Sequence, residues 1–266
     1  MKKLNRLICT PMDNEEFLRT VLNDLEPPQS QVDSLLRLRD RVRSCIFEHI
    51  GGKKSMFMAG SFKKDTMIRQ HYDLDMFLIW THGFMPLKDL FYEVEHALNY
   101  KWKRIKKKRV GWRIPYENEF HVDVIPTIQD SFESDYSLLY NCYKKKKLKT
   151  SMHIHTEEIE KYNRRDVIKL LKLWKYRQNV PIKTFILEVL THLACYNVTR
   201  RSLSVQLEKV FEYISNNIVD NYFYDPANKD NIISDDLTLY EKHEIRDKAY
   251  KALKRKYWGQ IFEKIR

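Results

Sequence analysis

The stretch GSFKKDTMIRQHYDLDMFLIW, residues 60 to 80, joins a Gly-Ser pair to two aspartates at the start of an apolar run. Residues i and i+2 of a strand point to the same face of a sheet, so Asp73 and Asp75 present their carboxylates side by side. Burying an ionised carboxylate is costly unless another group compensates its charge. We therefore expect a bound cation near this pair.

A third carboxylate lies in the apolar segment FHVDVIP (120–126), where Asp123 shares a face with His121 and Ile125. If this strand neighbours the first one, three acids converge. Converging carboxylates repel one another unless a divalent cation lies among them. Mg²⁺ suits such a site because it takes oxygen ligands and keeps waters or substrate phosphates in its shell. The pattern predicts a Mg²⁺ site that Mn²⁺ can also fill.

The Gly60-Ser61 pair stands at the end of a short predicted strand. Glycine lets the backbone come close to a phosphate, and the serine opens a predicted helix whose N–H groups and hydroxyl can hold a phosphate tail. Alone, the pair is equally typical of an ordinary turn. Its combination with the later aspartates favours a nucleotide-phosphate site.

The 266 residues suffice for one large or two modest domains, and the net charge is +12. The longest apolar runs are about eight residues, far below the roughly 20 that a membrane span needs. The N-terminal residues do not resemble a secretory signal. The cysteines are scattered, which predicts neither disulfides nor a zinc site: Cys9, Cys45, Cys142 and Cys195. These features indicate a reduced, cytoplasmic protein.

Hydrophobic periodicity divides the chain into a mixed first half and a helical second half. The first half predicts helices at 30–50 and 86–100 and strands at 55–59, 73–80, 109–114 and 119–126. Strand 73–80 is apolar on both faces after its aspartates, which predicts burial on both sides. The second half predicts helices at 156–178, 183–197, 202–218 and 237–265. The fold class is α+β, with a core at 1–150, a helical domain at 151–266, and the N-terminal helix packing on the second.

The spacing GS–x11–D-L-D, followed by the later D-V-I-P, resembles the active-site pattern of the DNA polymerase β-like nucleotidyltransferases. The segment VIKLLKLWKYRQNVPIKTFILEVL (167–190) is similar to the helical region of template-independent members, and YDPANKDNI (224–232) extends the likeness. These members include oligoadenylate synthases, bacterial cyclic-oligonucleotide synthases of antiviral defence and, more distantly, archaeal-type CCA-adding enzymes. The resemblance covers roughly residues 50 to 265. It implies a polymerase β-like mixed sheet with a helical C-terminal half.

The resemblance also implies two-metal nucleotidyl transfer. Asp73 and Asp75 would ligate both ions, and Asp123 would ligate the ion beside the attacking hydroxyl. Ser61 would hold the triphosphate of a nucleoside triphosphate, from which pyrophosphate leaves.

In the helical half, Lys172 matches a lysine that relatives direct at the triphosphate. The alternative is a solvated lysine in a lysine-rich helix. Lys183 and Thr184 fall near a position where relatives carry a phosphate-contacting serine. We therefore add Lys172 and Thr184 to Gly60 and Ser61 as candidate nucleotide-binding residues.

The excess positive charge is concentrated in the basic runs 101–109 and 144–149. Such runs are typical of solvated loops, but also of surfaces that bind RNA through its phosphates. Lys106, Lys107 and Lys108 are the candidate contacts. The first functional hypothesis is an enzyme that makes a cyclic or short oligonucleotide messenger from nucleoside triphosphates. The alternatives are an enzyme that adds nucleotides to RNA or tRNA 3′ ends, and a catalytically silent relative that binds nucleic acid.

Overall fold

The computed structural model describes residues 13–71, 73–116, 120–131 and 135–262. The first half contains α1 (Asn14–Asn23), α2 (Gln29–His49), β1 (Lys54–Ala59), α3 (Gly60–Lys63), β2 (Leu74–Trp80), α4 (Leu87–Asn99), β3 (Lys106–Lys107), β4 (Trp112–Pro115), β5 (His121–Gln129), β6 (Ser137–Asn141) and β7 (Lys146–Thr150). The second half contains α5 (Met152–Tyr162), α6 (Arg165–Arg177), α7 (Thr184–Ala194), α8 (Leu203–Asn217), β8 (Tyr224–Asp225), β9 (Asn228–Ile232), α9 (Leu239–Leu253) and α10 (Gly259–Phe262).

The sheet of the first half is mixed. Its strand order is β1-β2-β5-β4-β3, and β6 and β7 extend it from β5. Strands β2 and β5 are parallel, whereas the other pairs are antiparallel. The predicted α+β class with a mixed sheet is confirmed.

One face of the sheet packs against α2 and α4. Along β2, every second side chain is buried in this core, from Leu74 to Trp80. The intervening side chains, which include Asp75 and Phe77, are only partly buried on the opposite face. The prediction of a strand buried on both faces is therefore wrong, and Asp75 on this second face lines the cleft described below.

The helical half has a second hydrophobic core, in which the rings of Trp174 and Phe211 meet edge to face with centroids 4.9 Å apart. Helix α1, which the sequence did not predict, contributes Leu18 and Leu22 to this core. The predicted helix 30–50 corresponds to α2 and packs on the sheet rather than on the helical half. A division of the chain at residue 150 stays a prediction. Among the described residues, no helix is long and apolar enough to span a lipid bilayer.

The predicted helix 156–178 is interrupted at Asn163, which has a φ of 45° and separates α5 from α6. Asparagine tolerates this left-handed conformation better than most residues. The next residue, Arg164, is buried and donates hydrogen bonds to Gln206 Oε1 at 2.7 Å and to the carbonyls of Cys195 and Val198 at 2.7 and 2.6 Å. The break thus places a cation where it satisfies groups at the end of α7 and on α8.

Two other boundaries differ from the predictions. The predicted helix 237–265 is divided into α9 and α10, and part of the predicted segment lies outside the described residues. The lysine-rich run 144–149 overlaps strand β7, whose side chains are mostly exposed. An exposed edge strand lacks the apolar alternation by which strands are recognised.

Replacing Arg164 by methionine should destabilise the fold, because two carbonyls and an amide oxygen lose their buried donor. We expect a loss of about 2–4 kcal/mol in the free energy of unfolding, equivalent to a fall of about 5–15 °C in Tm. Circular dichroism during heating measures this change. The control is Arg246→Met, since Arg246 pairs with its neighbour Asp247 on the surface. Equal melting of Arg164→Met and the parent protein would contradict this account.

Candidate active site

Gly60 and Asp75 fit together so closely that only glycine can occupy position 60. Strand β1 ends at Ala59, which is paired with Asp75 of β2, and Gly60 turns the chain into α3 with a φ of 62°. A Cβ atom on Gly60 would lie 1.7 Å from Asp75 Oδ2. The adjacent Ser61 Oγ is buried and has no hydrogen-bond partner among the described residues. This hydroxyl suits a bound acceptor such as a phosphate oxygen.

A row of charged side chains crosses the sheet on the face opposite the core. Asp75 lies opposite Asp123 in the parallel pair β2–β5, and Asp123 lies opposite Arg113 in the antiparallel pair β5–β4. The Arg113 guanidinium donates two hydrogen bonds to the Asp123 carboxylate, at 2.8 and 2.7 Å. Lys106 follows as the partner of Arg113 on β3. The shared face of Asp75 and Asp123 agrees with the sequence-based expectation, whereas the role of Arg113 was not predicted.

His121 connects Asp73 to Asp123. Its Nε2 lies 3.1 Å from Asp73 Oδ2 and 3.9 Å from Asp123 Oδ2. One ligand atom from each of these three residues lies within 4.8 Å of the others. Two carboxylate oxygens and an imidazole nitrogen at such separations fit one divalent cation. Asp75 lies beside this cluster, with its carboxylate against Gly60.

The electrostatic conflict between the acids is greatest at Asp75. Burial, together with the charges of Asp73 and Asp123, raises the pKa of Asp75 to about 8. Burial also acts to raise the pKa of Asp73, but the hydrogen bond and charge of His121 outweigh it and the net shift is downward. A divalent cation beside these groups would favour the ionised form of Asp75.

Lysines lie on the opposite side of the cleft, where Glu188 binds them. Lys64 Nζ is 2.7 Å from Glu188 Oε2, and Lys172 Nζ is 3.6 Å from Glu188 Oε1. Lys172 also donates to the carbonyl and hydroxyl oxygens of Thr66, both at 2.8 Å. Lys172 is only 3% exposed, so it is not the solvated helix lysine of the alternative interpretation.

These groups enclose a cleft of about 200 Å³ between the sheet and helices α6 and α7. It is lined by Gly60, Ser61, Lys64, His71, Asp73, Asp75, Lys172, Tyr176, Thr184, Phe185 and Glu188. The rings of His71 and Tyr176 stack with centroids 4.6 Å apart. The cleft therefore brings together the predicted Gly60, Ser61, Asp73, Asp75, Lys172 and Thr184, with Asp123 at its edge through His121.

The first basic run contacts Cys142, which precedes the second run by two residues. The N–H of Cys142 donates to the carbonyl of Arg109 at 2.9 Å and its Sγ donates to that of Lys108 at 3.3 Å. Lys107 Nζ lies over the Trp112 ring, 5.3 Å from its centroid. Asp236 then links Arg109, at 3.1 Å, to Lys183, at 2.7 Å, beside the cleft. Lys183 thus forms a surface ion pair, and RNA binding by the runs stays a prediction.

Several residues with contacts in the site were missed by the sequence interpretation: Arg113, His121, Tyr176 and Glu188. His121 was noticed only as sharing a face with Asp123. Its position two residues before Asp123 was the one local signal for its placement. The others depend on strand register or helix packing, which no local pattern records.

No protein-family model matches the chain, and no curated protein matches its sequence. Solved structures do share its fold. Escherichia coli MS115-1 CdnC in complex with HORMA-deltaN has a TM-score of 0.73 at 18% identity, with 94% of this chain and 97% of that one covered. The Bradyrhizobium diazoefficiens CD-NTase CdnG with GTP has a TM-score of 0.75 at 12% identity, with 92% and 91% covered.

A third example is the Elizabethkingia meningoseptica CdnE cyclic dinucleotide synthase with GTP and Apcpp. Its TM-score is 0.68 at 18% identity, with 91% of this chain and 99% of that chain covered. The predicted α+β fold, with a mixed sheet and a helical C-terminal half, is confirmed, and these solved structures share it. The likeness extends through both halves of the chain, as the coverage requires.

Replacing Asp75 by asparagine should stabilise the fold in the absence of divalent ions. Between the ordinary carboxyl pKa and about 8, the folded parent binds more protons than the unfolded chain, so its stability falls as pH rises. One pKa unit corresponds to about 1.4 kcal/mol, and each kcal/mol to about 2–4 °C in Tm. We therefore expect Asp75→Asn to melt at least about 2–4 °C above the parent at pH 8.5.

The difference should shrink at pH 5, where the folded parent already carries the proton. Thermal melts with a chelator at both pH values test this, with the exposed Asp230→Asn as a charge-matched control. A lower Tm for Asp75→Asn at pH 8.5 would show that Asp75 is not under electrostatic strain.

Proposed function

We propose that the chain is a metal-dependent, template-independent nucleotidyltransferase that makes a cyclic or short oligonucleotide messenger from nucleoside triphosphates. The single observation that carries this proposal is the register that sets Asp75 opposite Asp123, beside the Gly60-Ser61 turn. The fold supports it, since one structure that shares it is a cyclic dinucleotide synthase with GTP and Apcpp. A cytoplasmic location, as expected from the sequence, belongs to the same proposal.

The carboxylates of Asp73, Asp75 and Asp123 are the proposed ligands of Mg²⁺, for which Mn²⁺ can substitute. When bound, the ions lower the pKa of the attacking hydroxyl and offset charge on the phosphates. The cluster of Asp73, His121 and Asp123 within 4.8 Å supports the position of one ion. The guanidinium of Arg113 holds Asp123 from the side away from Asp75, and so orients its carboxylate.

The remaining groups of the cleft suit the nucleotide. Ser61 would donate its buried hydroxyl to a phosphate oxygen, while Lys64 and Lys172 offset the charge of the triphosphate. Thr184 is a further candidate contact to the triphosphate, and Tyr176 has an aromatic face for the base. A hydroxyl oxygen of one nucleotide then bonds to the α-phosphorus of the next. The bond between the α-phosphorus and the oxygen that bridges it to the β-phosphate breaks. The hydroxyl proton passes to solvent, and pyrophosphate leaves.

Activity is tested with the four labelled nucleoside triphosphates and Mg²⁺ or Mn²⁺. We expect a product that forms without added nucleic acid and resists phosphatase. Asp73→Asn and Asp75→Asn should each lower the rate at least about 100-fold, because each removes a proposed metal ligand. Asp230→Asn is the matched control. Turnover near that of the parent in both site variants would contradict the metal site, and an inactive parent would favour the catalytically silent alternative.

The second candidate function is addition of nucleotides to RNA 3′ ends. The hydrogen bonds of Cys142 to Arg109 and Lys108 favour it, because they bring the run 101–109 close to the start of the run 144–149. A continuous basic surface binds RNA through phosphates, with an affinity that falls by a log–log slope of about −0.7 to −0.9 per phosphate neutralised. Label that appears only on added RNA would select this function.

Replacing Lys106, Lys107 and Lys108 by glutamate should weaken RNA binding uniformly across sequences and reduce its salt dependence. Binding of mononucleotides should change little. Fluorescence anisotropy at several salt concentrations measures both. The control replaces Lys251, Lys254 and Lys256, exposed lysines at the end of α9, and makes the same change in charge. Binding that is independent of salt, or equally weakened by both sets, would identify the runs as solvated surface.

A further inference from the structure

A second, larger pocket lies in the helical half, with a volume of about 800 Å³. We call it the tyrosine pocket, because its walls include Tyr162, Tyr196, Tyr213, Tyr222 and Tyr224. It shares no lining residue with the cleft. The proposed nucleotidyl transfer leaves it without a role.

The rim of the tyrosine pocket exposes large apolar groups to solvent. Tyr196 is 69% exposed, Tyr222 64%, Leu193 48% and Tyr224 47%. Single exposed apolar side chains are normal on a protein surface, but a cluster around a cavity marks a binding site. Because the rim is open, it suits a segment of a protein chain better than an enclosed small molecule.

The charge of the tyrosine pocket is opposite to that of the whole chain. Among the described residues its lining includes Glu158 and Asp220 but neither lysine nor arginine, although the net charge of the chain is +12. One cation already lies nearby, since Lys161 Nζ is 5.2 Å from the centroid of the Tyr162 ring. The faces of tyrosine rings also attract cations. The pocket is therefore complementary to a positively charged group with an apolar stem.

His192 adds a directional contact at the pocket wall. It is 8% exposed, and its Nε2 is buried without a hydrogen-bond partner among the described residues. Burial lowers the pKa of His192 to about 4, so the ring is neutral at physiological pH. A neutral imidazole has one nitrogen that accepts a hydrogen bond. Tyr162 packs on the ring, with centroids 4.9 Å apart.

We propose that the tyrosine pocket is the docking site for an arginine side chain on a segment of a protein partner. The guanidinium stacks on the tyrosine rings, donates to His192 Nε2, and faces the carboxylates of Glu158 and Asp220. Arginine suits this role better than lysine because its planar group stacks on aromatic rings and directs several N–H donors at once. Apolar neighbours of the arginine contact Leu193 at the rim.

The test uses the peptide acetyl-Leu-Arg-Leu-amide and its citrulline analogue, which has nearly the same shape without the charge. Isothermal titration calorimetry should show that the arginine peptide binds at least about tenfold more tightly. Glu158→Gln and Asp220→Asn should each weaken this binding several-fold. The control Glu157→Gln removes the same charge from an exposed neighbour on α5 and should leave binding unchanged. Thermal melts check that each variant is folded.

Equal affinity for the arginine and citrulline peptides would overturn the proposal. An equal loss of peptide affinity in Glu158→Gln and Glu157→Gln would also overturn it, since the peptide would then respond to the overall charge of the surface and not to the pocket. Spermidine is the third probe: binding as tight as that of the peptide would identify a small-amine site rather than a protein-docking site. Peptide binding that survives in Asp75→Asn shows that the pocket does not depend on the proposed catalysis.

Discussion

The buried carboxylate of Glu188 joins the two halves of the molecule through its ion pair with Lys64. It pairs with Lys64, which follows α3 in the sheet half, and with Lys172, which lies beside it in the helical half. Burial acts to raise the pKa of Glu188, but the two lysines lower it by more, so the group is ionised. Breaking one partner of such a buried pair costs about 3–5 kcal/mol. The hydrogen bonds from Lys172 to Thr66 and from Arg165 to the carbonyl of Lys64 join the same two halves beside it.

The cleft that results has charges of opposite sign on its two walls. Carboxylates of Asp73, Asp75 and Asp123 stand on the sheet, and the ammonium groups of Lys64 and Lys172 stand across from them. A nucleoside triphosphate with divalent ions is complementary to these walls, because its cations would face the carboxylates and its phosphate oxygens the lysines. The protein's own cations offset the negative charge of the three acids only in part. Burial and the neighbouring acids therefore raise the pKa of Asp75 to about 8.

The sequence predicted the parts of this site that depend on local spacing. Because residues i and i+2 of a strand share a face, the sequence placed Asp123 beside His121. The apolar runs around the aspartates located β2 and β5. Contacts between segments distant in the sequence could not be predicted in this way. Arg113 meets Asp123 through the register of β4 against β5, and Glu188 meets Lys64 through helix packing. The end of α5 at Asn163 was missed because the apolar period continues through the break.

The contact between Gly60 and Asp75 limits which residues evolution can place at position 60. An alanine there meets two obstacles: the Asp75 carboxylate, and a φ of 62° that residues with a side chain rarely adopt. Replacing Asp75 with a smaller residue removes the first obstacle and leaves the second. Gly60 is therefore expected to persist in related sequences even where Asp75 has been replaced, which makes the glycine the more durable evolutionary marker of this turn.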